Sequence, residues 1–320
     1  MTLWRHWIVG QLDASIAAAL LLAIAVLLRH RLSPSVRSAI LLIALVRLVL
    51  PPWLRSPWSE ALVDLPAIDD GRTLLAMVMQ ADVAMYIAAF TTAVTVFLLA
   101  RLAWTFTRVS SRWLLETTPA PTPRADGACA ARSGSVEIRI SPANEGPFAV
   151  GLRRKLIVLP ASVLELDRAA FDAVVAHELA HHERRDLWWI ALAEGVKAIA
   201  WFNPLSHVIA RALIASREDG SDDWAISKTS NDPFTYARAL LQSARMIAEP
   251  RPLGVAGAHP MGKRLRRLLD HGTARDKRPG LFGAAVIVLC AAAAIPGAHM
   301  PSLTDYDTDN NRRIVIVIKQ

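Results

Sequence analysis

Three stretches of this chain, Ala14–Leu28, Val83–Ala100 and Leu281–Ala298, contain no charged residue at all. A helix on the surface of a soluble domain shows a polar face every turn, so runs of this length need apolar surroundings on all sides. The hydrocarbon layer of a bilayer, about 30 Å thick, calls for about 20 such residues per helix. Ile8–Leu28 meets that length with only Asp13 inside it. A fourth block, Ser38–Leu54, is the weakest, interrupted by Arg47 and broken by Pro51 and Pro52. Composition agrees: 53% of residues are hydrophobic and 20% charged, against about 25% charged in soluble domains. So apolar a chain collapses rather than staying disordered. Its 2 cysteines exclude a disulfide scaffold.

Charge next to the blocks sets their orientation, because Lys and Arg concentrate on the cytoplasmic side of membrane helices. Arg29, Arg31 and Arg37 follow the first block, so it reads as an anchor with its N-terminus outside rather than a cleaved signal. Arg101, Arg108 and Arg112 follow the third block, and Lys263–Arg278 precedes the last. Ser56–Asp82 carries five acidic residues against Arg72 alone, which marks an outer loop. The expected organisation is therefore residues 1–104 with three spans (about 8–28, 36–54 and 83–103) and an outer loop at 55–82. A cytoplasmic domain at 105–280, a fourth span at 281–298 and a short outer tail at 299–320 complete it. The lipid bilayer is the first expected partner. The net charge of +8 is accounted for by these flanks, so direct nucleic-acid binding is not expected of the basic run Lys263–Arg267.

Within the cytoplasmic region, Thr117–Gly134 reads as a linker rich in Pro, Ala, Gly and Ser. Val136–Ile140 and Lys155–Leu159 read as strands, and the pattern turns helical from Asp167. The helix carries His177-Glu178-Leu179-Ala180-His181. Histidines at i and i+4 stand one turn apart on one face and can share a metal ion, with the adjoining Glu178 placed to accept a proton. His182 is turned off that face. A catalytic zinc needs a third protein ligand. The metzincin extension would place Gly and His where Arg184 and Leu187 stand, so that class is excluded. Two carboxylates remain. Glu194 has Lys197 at ion-pair spacing, whereas Glu218 shares a helix face with Asp222, giving a ligand and a partner for a liganding imidazole. Asn203-Pro204 fits an N-cap and first helical position, opening the helix of Glu218. Tyr236, His207 and His259 are equal candidates for stabilising an oxyanion, and Arg184 with Asp186 for bracing the histidine helix.

The segments Ala176–Asp186, Ala200–Leu205 and Arg217–Ala225 resemble those of the BlaR1/MecR1-type membrane metallopeptidases, peptidase family M56, over almost the whole chain. The resemblance implies a multi-span α-helical membrane protein with an inserted α+β, gluzincin-like zinc peptidase domain in a bacterial cytoplasmic membrane. It implies one Zn2+ held by His177, His181 and Glu218, with Glu178 as base and Asp222 behind the ligands. It also implies a cytoplasmic protein substrate, such as a transcriptional repressor or the chain itself, in transmembrane signalling. Only Pro301–Gln320 follows Met300, so the penicillin-binding sensor domain of the antibiotic sensors is not expected, and sensing would fall to a separate protein or to self-association. Phe148–Gly151 resembles the strand edge beside the family's zinc. Two alternatives stay open: a housekeeping membrane protease of the HtpX/Ste24 type, and a non-catalytic membrane scaffold that keeps the peptidase fold.

Overall fold

The computed structural model describes residues 2–50, 81–119, 136–142, 146–229, 232–246, 261–270 and 280–294. Its first helices are α1 (Thr2–Leu27), α2 (Pro34–Val49) and α3 (Ala81–Glu116). A sheet follows, built from β1 (Thr118–Pro119), β2 (Val136–Ser141), β3 (Phe148–Val150) and β4 (Lys155–Pro160). Six helices complete the described chain: α4 (Arg168–Glu183), α5 (Asp186–Ile199), α6 (Pro204–Thr229), α7 (Pro233–Met246), α8 (Met261–Leu269) and α9 (Leu281–Ala294).

The strand order is β1-β2-β4-β3, with β2 and β4 parallel and β3 antiparallel to β4. The Leu-Ile-Val-Leu run of β4 is buried throughout because it is a central strand covered on its faces. One core joins Ile157 and Leu159 of that strand to Phe171, Val174 and Leu179 of α4, Tyr236 and Leu240 of α7, and Leu268 of α8. A separate core joins α1, α2 and α9 to Ala193 and Val196 of α5 and Ile209, Ala210 and Leu213 of α6. Helix α6 takes part in both, since Ala225 near its far end lies in the first.

Helices α1 and α2 are closed against each other by a fully buried ion pair between Asp13 and Arg47. At the start of α2, Arg37 meets Asp219 of α6 at 2.5 Å, and Ser216 donates to the Pro34 carbonyl at 2.9 Å. The two helices that are long and apolar enough to cross a membrane, among the described residues, are α1 over Gly10–Leu27 and α3 over Met85–Glu116.

Several expectations change. The third block was bounded at 103, but α3 continues unbroken to Glu116. Its last turns dock on the sheet, with the Trp113 and Phe148 rings edge to face at 4.9 Å and Arg139 donating to the Leu114 carbonyl at 3.0 Å. Thr117–Gly134 is not wholly linker, because Thr118 and Pro119 pair with Ile140 and Arg139. The second block stops as a helix at Val49, just ahead of the two prolines, and at 16 residues it is shorter than a full span. The last block is helical over Leu281–Ala294. The outer loop expected at 55–82 lies outside the described residues except for Ala81 and Asp82, which open α3, and the tail at 299–320 and His259 lie outside them too.

Candidate metal centre

Helix α4 begins where Asp167 caps it, its carboxylate accepting from the Ala170 amide at 2.8 Å. Ala170, Ala173, Ala176 and Ala180 are small enough for the sheet and neighbouring helices to close around it, so even its histidines are buried. The chain leaves α4 through Arg185, which adopts a left-handed φ of 56° and turns the backbone directly into α5. That reversal puts Asp186 back against the helix it has just left.

The two imidazoles stand 5.0 Å apart, centroid to centroid, at 87°. Each has its Nδ1 occupied. His177 Nδ1 lies 3.1 Å from Asp222 Oδ1 and 3.1 Å from the Tyr236 hydroxyl. His181 Nδ1 lies 3.0 Å from Asp186 Oδ2, and the Ser221 hydroxyl donates to the same carboxylate at 2.8 Å. A carboxylate only accepts, so both rings donate from Nδ1 and turn Nε2 forward with a free lone pair when neutral. Both Nε2 atoms face Glu218, at 3.4 Å and 3.7 Å from its two carboxylate oxygens. A tetrahedral zinc with bonds of about 2.0–2.1 Å sets its ligand atoms about 3.3 Å apart. The donor set therefore suits such an ion in both chemistry and spacing. His177, His181 and Glu218 are also the one group of metal-binding type that comes together among the described residues.

Electrostatics follow from burial of many charges in a small volume. Burial and the Arg264 charge both push the His177 imidazole down, but its bonds to Asp222 and Glu218 prevail and raise it to about 9. Burial likewise opposes a charged His181, and Asp186 and Glu218 outweigh it, so its pKa is raised. Glu218 is held well below the usual carboxylate range, against its own burial, by the two histidines and Arg264. Asp222 is depressed in the same way, by Arg264 first and then His177.

Glu178 is buried beside His177 and lines a small cavity of about 40 Å3 with Pro147, Val174, Leu240 and Arg264. Pro147 immediately precedes β3, an edge strand of the sheet among the described residues, so the cavity lies beside that edge. Glu194, the other carboxylate considered, pairs with Lys197 at 2.8 Å instead. His182 Nε2 instead donates to the Leu156 carbonyl at 2.9 Å, and burial lowers its pKa.

Five residues change roles. Tyr236 was a candidate for the oxyanion, but its hydroxyl donates to Asp222 at 3.0 Å behind His177. His207 lies 3.1 Å from the Trp201 carbonyl oxygen, eleven residues (about 16 Å of helix) before Glu218. By sequence the basic run Lys263–Arg267 is the flank of a span. In α8 it splits by helical period: Lys263 and Arg266 face water, whereas Arg264 and Arg267 turn inward. Arg264 Nη2 meets Asp222 at 2.6 Å and its Nη1 lies 3.5 Å from Glu218, while Arg267 meets Asp223 at 2.5 Å. The buried acids of α6 demand these counter-charges. Asp186, treated only as a brace with Arg184, orients His181 and pairs with Arg217 at 2.5 Å. The signal was its position directly after a helix end, where a tight reversal brings a residue back to the last turn. Gly220 leaves the space into which the Arg184 guanidinium packs, since a Cβ there would lie 2.1 Å from its Nη2.

Two histidines one turn apart, a glutamate from a neighbouring helix and carboxylates on both outer ring nitrogens make a group that could hold a metal ion. The chain belongs to the BlaR1 peptidase M56 family, whose family model matches residues 7–268. It is 24% identical over 112 residues to the regulatory protein BlaR1 of Staphylococcus aureus, a stretch covering 34% of this chain and 19% of that relative.

Proposed function

We propose that this chain is an integral-membrane zinc endopeptidase whose catalytic centre faces the cytoplasm and cleaves a cytoplasmic protein, or the chain itself, in transmembrane signalling. The observation that carries the reading is the pair of Nε2 atoms aimed at the Glu218 carboxylate with both Nδ1 atoms held from behind. Zinc bound by His177, His181 and Glu218 supplies a Lewis acid that polarises a peptide carbonyl and acidifies a water. Glu178, on the cavity wall, takes a proton from the attacking water and passes it to the leaving amine. Asp222, Tyr236 and Asp186 keep the imidazoles in one tautomer and one orientation. An extended substrate would lie along β3, the edge strand beside the cavity, by strand addition. A transcriptional repressor as substrate, and a separate sensor or self-association upstream, are proposed from family membership alone. The deciding experiment compares the cellular proteome after induction of the parent and of Glu178→Gln. A fragment that accumulates only with the parent identifies the substrate, and identical proteomes together with no turnover of casein by the purified parent would favour a scaffold.

Topology is tested by single-cysteine labelling in a background lacking Cys129 and Cys290. Positions 125 and 275 are expected to react only after the inner membrane is permeabilised, and positions 69 and 305 before it, because of the basic and acidic flanks. The reverse pattern at position 69 would sink the arrangement.

Zinc affinity is expected to depend on pH with a definite sign. The metal-free protein holds a proton on His177 up to about pH 9, and zinc must displace it. Affinity therefore rises as pH rises, by about tenfold or more per unit between about pH 7 and 8.5. Competition with a chromophoric chelator measures this, and a flat profile would show that His177 is neutral before zinc arrives.

A further inference from the structure

Residues 187–213, the hairpin of α5 with the first half of α6, sit with the membrane helices rather than with the sheet. Ala193, Val196, Ile209, Ala210 and Leu213 share one apolar core with α1, α2 and α9. The hairpin is anchored at two levels. At its open end Ser216 bonds Pro34 and Ser38, and Asp219 bonds Arg37, all beside the basic turn Arg29–Arg37. At its tip Asn203 donates to Ser15 of α1 at 3.0 Å, and the Trp201 ring stands 6.3 Å from Phe90 of α3.

Three rulers give the depth of that tip, at 1.5 Å of helix per residue. Along α6, Asn203 lies about 20 Å from Ser216. Along α1, Ser15 lies about 20 Å from the Arg29 end, and along α3, Phe90 lies about 16 Å from Arg101. All three place the tip below the basic flank by more than half of a hydrocarbon layer of about 30 Å, yet short of its far side.

The exposed face of the hairpin also suits a bilayer. Every exposed residue from 187 to 210 is apolar: Trp188, Leu192, Ile199, Phe202, Pro204 and Val208. Glu194 and Lys197 neutralise each other, and Arg211 lies about 8 Å of helix below Ser216, within reach of the surface for a long side chain. Part of the reversal Ala200–Ser206 is closed by its own hydrogen bonds. The Ala200 carbonyl accepts from the Asn203 amide at 3.0 Å and the Ser206 hydroxyl at 3.0 Å, and the Leu205 amide donates to the Asn203 side chain at 3.0 Å. The Asn203 carbonyl accepts from the Ser206 amide and hydroxyl. Such closure is common at helix starts in water and is compatible with a lipid setting, where unpaired backbone groups are costlier.

We infer that residues 187–213 form a re-entrant membrane hairpin whose outer face is covered by lipid acyl chains. Glu218, two residues past Ser216, is thereby fixed at the level of the cytoplasmic headgroups, and the centre cleaves peptide brought to the membrane surface. The inference rests on the membrane reading above, and the test separates the two. Nitroxides are attached singly at Leu192, Ile199 and Phe202, at Val96 of α3 and at the exposed Glu183, in a chain lacking Cys129 and Cys290. The full chain is placed in nanodiscs of phosphatidylethanolamine and phosphatidylglycerol, with collision rates measured against oxygen and a water-soluble nickel chelate. Leu192, Ile199, Phe202 and Val96 are expected to favour oxygen over nickel by at least about tenfold relative to Glu183. Nickel access at the three hairpin sites with Val96 shielded would overturn the hairpin and leave the spans standing. Nickel access at Val96 as well would overturn the membrane reading itself. Shielding of the hairpin sites from both reagents would mean that a protein surface, such as a second copy, covers the face, and would overturn the lipid assignment. Three hairpin sites guard against one label disturbing the fold.

Discussion

Replacing Glu218 with alanine is expected to strip the protein of bound zinc and abolish proteolysis, whereas Glu178→Gln keeps the zinc and loses only turnover. The difference lies in what each carboxylate faces. Glu218 lies opposite both Nε2 atoms, at 3.4 Å and 3.7 Å. Its loss removes one of three ligands and also leaves the Arg264 guanidinium, 3.4 Å from His177 Nε2, with less negative charge to offset it. A cation then meets repulsion in a buried site, and the effect exceeds that of a ligand removed from water. Glu178 is outside the ligand group and lines the cavity. Its amide analogue keeps the shape but cannot accept a proton, a loss of about 10²- to 10⁴-fold in rate. Glu194→Ala, in folded protein, should keep both metal and activity, because among the described residues that side chain pairs with Lys197 and not with the site. Metal content by mass spectrometry, beside casein cleavage, decides the matter. Full zinc in Glu218→Ala, or its loss in Glu194→Ala, would move the third ligand.

How much of this was legible depended on the range of the interaction. His177, Glu178 and His181 are fixed by helical period, a local rule that needs no tertiary knowledge. Glu218 was reachable because Asp222 repeats on its face one turn later. The strands at 136–141 and 155–160 were legible from alternation and from a β-branched, apolar run. Arg264 was not legible, since an arginine ahead of an apolar block satisfies the rule for membrane flanks equally well. Only the buried acids of α6, more than forty residues away, draw it inward. The hairpin failed to announce itself for a related reason. Glu194 and Lys197 look like a bar to burial in lipid when each is counted singly, but at i,i+3 they form one neutral pair. The extension of α3 to Glu116 was hidden by Arg101, Arg108 and Arg112, which end an apolar block without ending a helix.

Asp222 and Arg264 offer the sharpest separation of stability from metal binding. Asp222 is fully buried and holds three groups: His177, the Tyr236 hydroxyl and the Arg264 guanidinium. Asp222→Ala leaves that guanidinium buried without its closest counter-charge, and breaking a buried pair in this way costs about 3–5 kcal/mol. The same change lets the His177 ring turn, which lowers metal affinity by about 10- to 100-fold. Replacing both residues with apolar ones, Asp222→Leu with Arg264→Met, removes the stranded charge. Stability is then expected to return to within about 1 kcal/mol of the parent, since an apolar pair commonly replaces a buried ion pair at little cost. Zinc affinity is not expected to return in full, because the Tyr236 hydroxyl, 3.1 Å from His177 Nδ1, is a weaker acceptor than the lost carboxylate. Denaturant unfolding of the metal-free proteins and zinc competition on the same samples read the two effects separately. Recovery of both together would reduce Asp222 to a counter-ion for Arg264, and recovery of neither would mean that Arg264 itself holds α8 against α6.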